Sequence, residues 1–341
     1  MPPQNGITEY ISALISEIKR AGKEFSDKRF DSIFIGGGTP SLMKGEDAAR
    51  LFSAIYENFK IENEVEFTTE ANPESLTEEY LKAFTDFKGN RLSLGVQSLC
   101  DAECAAVGRI TSKEKVFSAV DLAKKAGIKN ISCDVILGLP MQTKDSLLKT
   151  VSKLLDLEIC HLSLYSLKTD EGTPLFERKF SLSFPTEEEE FSFYKSAVGY
   201  LKERGFERYE ISNFALPGYE SRHNRKYWDQ SEYLGLGPGA HSFMNGERFY
   251  NESDLSKYLK CESRIYDSDD EIISGSLSEQ LMLALRTSKG FSVDILSPTA
   301  RSFHKELISH GLAENREDKV VLTDEGLWVM NEIILKFEEF I

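Results

Sequence analysis

The chain has 341 residues, 40% apolar and 28% charged, a globular composition with room for one large core or two to three domains. Fifty-six Asp and Glu against 41 Lys and Arg leave a net charge of −15, which argues against a nucleic-acid surface. No apolar run is long enough to span a bilayer and no basic-then-apolar segment opens the chain, so a cytoplasmic location is expected, with Cys100, Cys104, Cys133, Cys160 and Cys261 as reduced thiols.

Tyr10, Ile11, Leu14, Ile15 and Ile18 recur at helical spacing, so the chain opens on an amphipathic helix with no strand before it. Ile33, Phe34 and Ile35 form a short apolar run, the pattern of a strand buried on both faces. Gly36, Gly37 and Gly38 follow, where the backbone can approach something that a Cβ would hold off. A repeating unit starts here. Strands are expected to end near Ile35, Thr69, Val96, Asp134 and Leu164, with helices over 46–59, 77–87, 113–125 and 143–157. A spacing of about 30 residues is that of a βαβ repeat, whose right-handed crossovers build a parallel sheet or barrel.

Polar residues stand at each strand end: Gly37, Gly38 and Thr39, then Glu70, Gln97, Asp134, and Tyr165 with Ser166. In a β/α barrel these positions meet on one rim, where sites are built, and Arg109 can reach it. Past residue 181 the texture changes. Four glutamates at 187–190 open a helix and read as a solvated charged first turn. A strand is expected over 207–211. His223, Asn224, Arg225, Lys226, Tyr227 and Trp228 follow, then a glycine run at 235–241 that ends on His241. Pro238 interrupts that run and no βαβ context surrounds it, so it is not a dinucleotide fingerprint. Residues 267–275 read as a linker. Beyond them, helices over 277–285 and 299–309, a hairpin turning at 315–319 and a helix capped by Thr323 and holding Trp328 suggest a winged-helix-like fold. The acidic balance favours a docking or lid role for it over DNA binding.

Gly-Gly-Gly-Thr-Pro at 36–40, Glu-Ala-Asn-Pro at 70–73, Gly-Val-Gln-Ser at 95–98, Arg109 and Asp-Val-Ile-Leu-Gly-Leu-Pro at 134–140 together resemble the radical S-adenosylmethionine enzymes. Within them the chain looks like the anaerobic coproporphyrinogen oxidase family, and His-Asn-x-x-Tyr-Trp at 223–228 is similar to the mark of its haem chaperone branch. The resemblance implies an α/β fold, a partial parallel β/α barrel over 1–215, a connecting segment over 216–275 and the winged-helix-like domain over 276–341. It implies S-adenosylmethionine held by Gly37, Gly38, Thr39, Glu70, Gln97, Arg109 and Asp134, with residues 136–140 near adenine. It implies haem met by His223, Tyr227, Trp228 and His241, with a recipient apo-protein as partner. The family's Cys-x-x-x-Cys-x-x-Cys, which holds a [4Fe–4S] cluster, is not in this sequence, and no cysteine precedes Cys100. Cys100 and Cys104 have the first spacing, but Val107 stands at the third position, so they read as plain thiols. The family's first strand is missing as well, which would leave a sheet edge uncovered. The chain is then an N-terminally shortened member or a cluster-less paralogue. The resemblance leaves three functions: haem chaperone, coproporphyrinogen III oxidase acting by oxidative decarboxylation, and a non-catalytic binding paralogue.

Overall fold

Along Arg91–Gln97, Leu92, Leu94 and Val96 alternate with Arg91, Ser93 and Gln97, and this period of two gives the strand one apolar and one polar side. The computed structural model describes residues 4–260, 265–266 and 275–340. A seven-stranded sheet runs in the order β1 (Arg29–Ile35), β2 (Lys60–Ala71), β3 (Arg91–Gln97), β4 (Asn130–Leu137), β5 (His161–Ser166), β7 (Asn213–Ala215) and β6 (Glu207–Arg208). The first five are parallel, as the repeat implies, and the last two are antiparallel. The strand expected over 207–211 is thus two short ones. Four residues between them suit a turn and are too few for a crossover.

Helices α1 (Gln4–Glu24), α2 (Gly45–Asn58), α3 (Glu78–Asp86), α4 (Asp101–Ala106), α5 (Lys113–Lys125), α6 (Lys144–Leu155), α7 (Pro174–Arg178) and α8 (Glu187–Glu203) fill the connections. Their starts follow local chemistry. Thr77 and Ser112 accept from Tyr80 and Lys115 N–H groups, and Thr143 and Thr186 close capping boxes with Ser146 and Glu189. The apolar sides of β3, β4 and β5 pack on these helices through Leu92, Leu94, Ile131, Cys133, Val135, Leu162 and Leu164. The opposite, inner side carries Ser93, Ser132, Asp134, His161 and Ser163, paired across strands by register.

β1 departs from expectation. Ile33 is buried, but Phe34 and Ile35 are only half-buried, because β1 is the edge of the sheet. Beyond it the chain continues through α9 (Arg222–Trp228), the hairpin β8 (His241–Met244) and β9 (Glu247–Tyr250), α10 (Leu255–Tyr258) and β10 (Ile265–Tyr266). Most of the linker expected over 267–275 lies outside the described residues, as does Cys261.

The C-terminal stretch holds α11 (Leu277–Ala284), β11 (Phe291–Ser292), α12 (Pro298–Ser309), the hairpin β12 (Ala313–Arg316) and β13 (Lys319–Leu322), α13 (Asp324–Trp328) and α14 (Met330–Glu338). Leu281, Leu285, Phe291, Leu307, Val320, Ile333 and Phe337 form its own core. Lys202 and Lys195 pair with Asp324 and Glu325 at 2.9 and 2.7 Å, and Trp328 packs on Phe191 and Tyr194, tying it to α8. Among the described residues no helix is long and apolar enough to cross a membrane.

Candidate functional site

Two neighbouring surfaces meet at the turn after β1. The first is the rim at the strand ends. Gly37 and Gly38 have φ of +77° and +65°, the left-handed region that glycine enters without strain. The turn presents the Gly37 N–H to Glu70 Oε2 at 3.1 Å. A Cβ on Gly36 would stand 3.0 Å from the Glu70 carboxyl carbon and 2.5 Å from the Phe34 ring, so that approach requires glycine. Asn72 donates to Thr39 Oγ1 at 3.2 Å and its own N–H meets Ser41 Oγ, locking the β2 end to the turn.

Asp134 lies inside β4, which runs on to Leu137, so it sits on the inner side below the rim. Ser93 donates to it at 3.1 Å and Ser163 also bonds it. Burial pushes the Asp134 carboxyl up, against those hydrogen bonds and the Arg91 charge. Burial also raises Glu70, against the Gly37 hydrogen bond, and the charge of Asp134 adds to the rise. Two desolvated carboxylates on one side of the sheet, the charge of one raising the other, offer negative charge to a cationic group. Gln97 stands at the end of β3 with φ +69°, its amide next to Gly95. Arg109 is exposed on the loop between α4 and α5.

Glu190 was missed by the sequence reading. Glu187, Glu188 and Glu189 are exposed, as a solvated first turn should be. Glu190 instead is half-buried, bonded to Ser166 at the end of β5, and 3.0 Å from where a Gly138 Cβ would stand. A capping box puts N3 outward and leaves N4 to face the sheet, which could have flagged it.

The second surface is a cavity of about 880 Å³ along the free edge of β1. Tyr10, Leu14 and Ile18 of α1, Phe34 of β1, and Leu234 and Leu236 line it with apolar area. His223, Tyr227 and His241 line it too, together with residues 36–39 of the turn. His223 stacks on Phe34 with ring centroids 5.2 Å apart. Its Nδ1 is 2.9 Å from Ser32 Oγ and its Nε2 is 2.9 Å from Tyr227 Oη. Burial lowers its pKa to about 4, so the ring is neutral near pH 7. His241 is exposed and stacks on Tyr250. Trp228 is not part of the lining; its side chain bonds Glu210.

Among the described residues the thiols do not fit a [4Fe–4S] cluster. Cys104, Cys133 and Cys160 are buried, burial pushes the Cys104 thiol up to about 11, and Cys100 has no second accessible thiol beside it. Among the described residues no group of three His, Cys, Asp or Glu could hold a metal ion. The carboxylates and main-chain donors of the rim do fit an aminoacyl ligand, and the cavity fits a large apolar one.

Residues 5–154 match the model of the Radical SAM superfamily. The chain is 36% identical over 343 aligned residues to the heme chaperone HemW of Lactococcus lactis subsp. lactis, covering 97% of this chain and 89% of that one. It is 33% identical over 349 to HemW of Bacillus subtilis, covering 97% and 91%. Among solved structures, the coproporphyrinogen III oxidase HemN from Escherichia coli, a radical SAM enzyme, matches with a TM-score of 0.83 at 20% identity. That match covers all of this chain and 85% of the other, and speaks for the fold.

Proposed function

This chain belongs to the HemW haem chaperone family of the radical SAM superfamily, and on that premise we propose that it holds S-adenosylmethionine on the rim and haem in the cavity beside it, for transfer to an apo-protein. The observation that carries this reading is the shared lining: His223, Tyr227 and His241, 18 residues apart at the extremes, face one apolar cavity that also touches residues 36–39.

On the rim, Glu70 and Asp134 supply the negative charge that an ammonium or sulfonium needs. Arg109 offers a planar fork for the carboxylate, Gln97 a further polar contact, and residues 136–140 an apolar edge for adenine. In the cavity, haem iron accepts an imidazole nitrogen. His223 is neutral, so no proton competes for its lone pair, and Ser32 can accept Nδ1–H and fix the tautomer. The Tyr227 hydroxyl occupies Nε2 and has to move aside, whereas His241 is exposed and needs no such change. Phe34 and Tyr233 offer flat faces, and Arg29 and Lys226 in the same lining offer cations for the propionates. Because the thiols of the described residues do not fit a cluster, no radical step is assigned to these residues.

Haem titration followed at the Soret band tests the reading. Saturable binding is expected in the 341-residue chain, with His223→Ala weakening it or changing the ligand-field bands. Loss in His241→Ala with retention in His223→Ala keeps the function and moves the ligand. Wild-type protein without a saturable Soret change overturns the proposal.

A further inference from the structure

Glu66 lies on β2, is 6% exposed, and takes part in no ion pair among the described residues. Its two oxygens are spent on the start of α9. The N–H of Arg222 donates to Oε2 at 2.9 Å, the N–H of His223 to Oε1 at 2.9 Å, and the Ser221 hydroxyl to Oε1 at 3.3 Å. A carboxylate facing the first N–H groups of a helix satisfies donors that have no partner inside it. The Ser221 N–H donates in turn to Tyr209 Oη at 3.2 Å.

That contact sets the protons behind it. Tyr209 accepts from Ser221, so its own O–H is free to donate to His161 Nε2 at 2.9 Å. His161 then carries its proton on Nδ1 and donates to Ser132 Oγ at 2.7 Å, in a buried ring that stays neutral. Ser132, His161, Tyr209, Ser221 and Glu66 thus link β4 and β5 to α9 and back to β2. A helix of seven residues is too short to hold its own shape, so its placement comes from such outside contacts.

We propose that Glu66, backed by Tyr209, is a positioning residue for His223: it fixes the first turn of α9 so that the imidazole meets Ser32 and the cavity. This rests on the reading of His223 as a haem ligand. Glu66 does not touch the ligand. It acts by pinning the His223 main chain, while Ser32 sets the ring.

The test is a haem titration of the 341-residue protein and its Glu66→Gln, Tyr209→Phe and His223→Ala variants, with and without added imidazole. Glu66→Gln keeps the shape but gives up one acceptor and the charge. It should weaken haem binding by up to about tenfold, no more than the loss expected on removing a partner of the ligating ring itself. Its absorption bands should move toward those of His223→Ala, and free imidazole should restore them in both variants. Tyr209→Phe should move them the same way by less, and decides the matter if Glu66→Gln does not fold. Wild-type bands and affinity in the variants that fold overturn the proposal while a loss in His223→Ala leaves the haem reading standing. Bands in Glu66→Gln that imidazole does not restore overturn it too, since the cavity itself would then be damaged. Unchanged bands in His223→Ala sink the ligand assignment and the positioning role with it.

Discussion

The rim and the cavity share residues 36–39 and little else. The rim is built from consecutive strand ends of one sheet, carries two carboxylates whose protons are held more tightly than usual, and suits a small cationic ligand. The cavity is built from α1, the free edge of β1, α9 and the segment leading into β8, and is mainly apolar with two imidazoles. One turn serves both because glycine lets the main chain face Glu70 on one side while Phe34 and Ser32 of the same strand hold His223 on the other. Adjacent sites of opposite polarity can therefore be set side by side by one strand and the turn after it.

The sharpest test of that division is a double dissociation. Asp134→Asn or Glu70→Gln should lower S-adenosylmethionine affinity by about 1.5–3 kcal/mol each, the range for a hydrogen bond to a charged group, read by calorimetry. Haem affinity should not change in either. His223→Ala should do the reverse. If Asp134→Asn weakens haem as strongly as S-adenosylmethionine, the two surfaces are one site and the comparison fails.

Gly36→Ala should instead hit both. Its Cβ would stand 2.5 Å from the Phe34 ring and 3.0 Å from the Glu70 carboxyl, so both have to shift. Forced repacking of this kind costs about 1–3 kcal/mol, and both affinities should fall together. Gly37→Ala is the control. Nothing lies within 4 Å of its Cβ, so only the φ of +77° opposes it, at a cost of about 1–2 kcal/mol. It should lower S-adenosylmethionine affinity more than haem affinity, because it leaves the Phe34 ring in place. Equal effects of the two substitutions would show that strain in the turn, not the contact at Gly36, links the sites.

The rim was largely legible in the sequence and the cavity was not. Strand ends recur with the βαβ period, so Glu70, Gln97 and Asp134 could be placed on one side of one sheet from spacing alone, although Asp134 lies deeper than its apolar flanks suggested. The run Ile33, Phe34, Ile35 reads as a strand buried on both faces, whereas β1 stands at the edge of the described sheet beside the cavity and leaves Phe34 and Ile35 half-buried. His223 and Tyr227 were found by resemblance, and the pairing of His223 with Ser32 spans 191 residues, which no local pattern reports. Trp228, read as a companion face, turns to Glu210 because positions 227 and 228 project about 100° apart on a helix. At the antiparallel end one strand was expected over 207–211 where two short ones stand, since strands of two and three residues leave no period to count.

The smallest expected effect concerns Glu210 and the Trp228 that it holds. Glu210 is 2% exposed, one of its oxygens has no partner, and burial pushes its carboxyl up to about 7, against hydrogen bonds from Asn213, Ser212 and Trp228 and the Arg208 charge. The folded state therefore keeps a proton that the unfolded chain gives up near the ordinary carboxylate pKa. Between those two values the folded state binds more protons, so its stability falls as pH rises through that window. His161 and His223 act in the opposite sense. Both rings are held neutral, the unfolded chain takes up protons below about 6.5, and their contribution is lost as pH falls from there, for His223 down to about 4. Thermal melting followed by circular dichroism separates them. Glu210→Gln should melt a few degrees above wild type at pH 8, where the wild-type carboxylate is charged and buried, and the gap should close toward pH 5. His223→Ala should flatten the acid side instead. Glu210 touches α9 and not the rim, so haem affinity in Glu210→Gln should lose part of its pH dependence while S-adenosylmethionine affinity keeps its own. A gap between Glu210→Gln and wild type that is the same at pH 5 and pH 8 would mean that the carboxyl does not titrate there, and that pH reaches the cavity through its histidines alone.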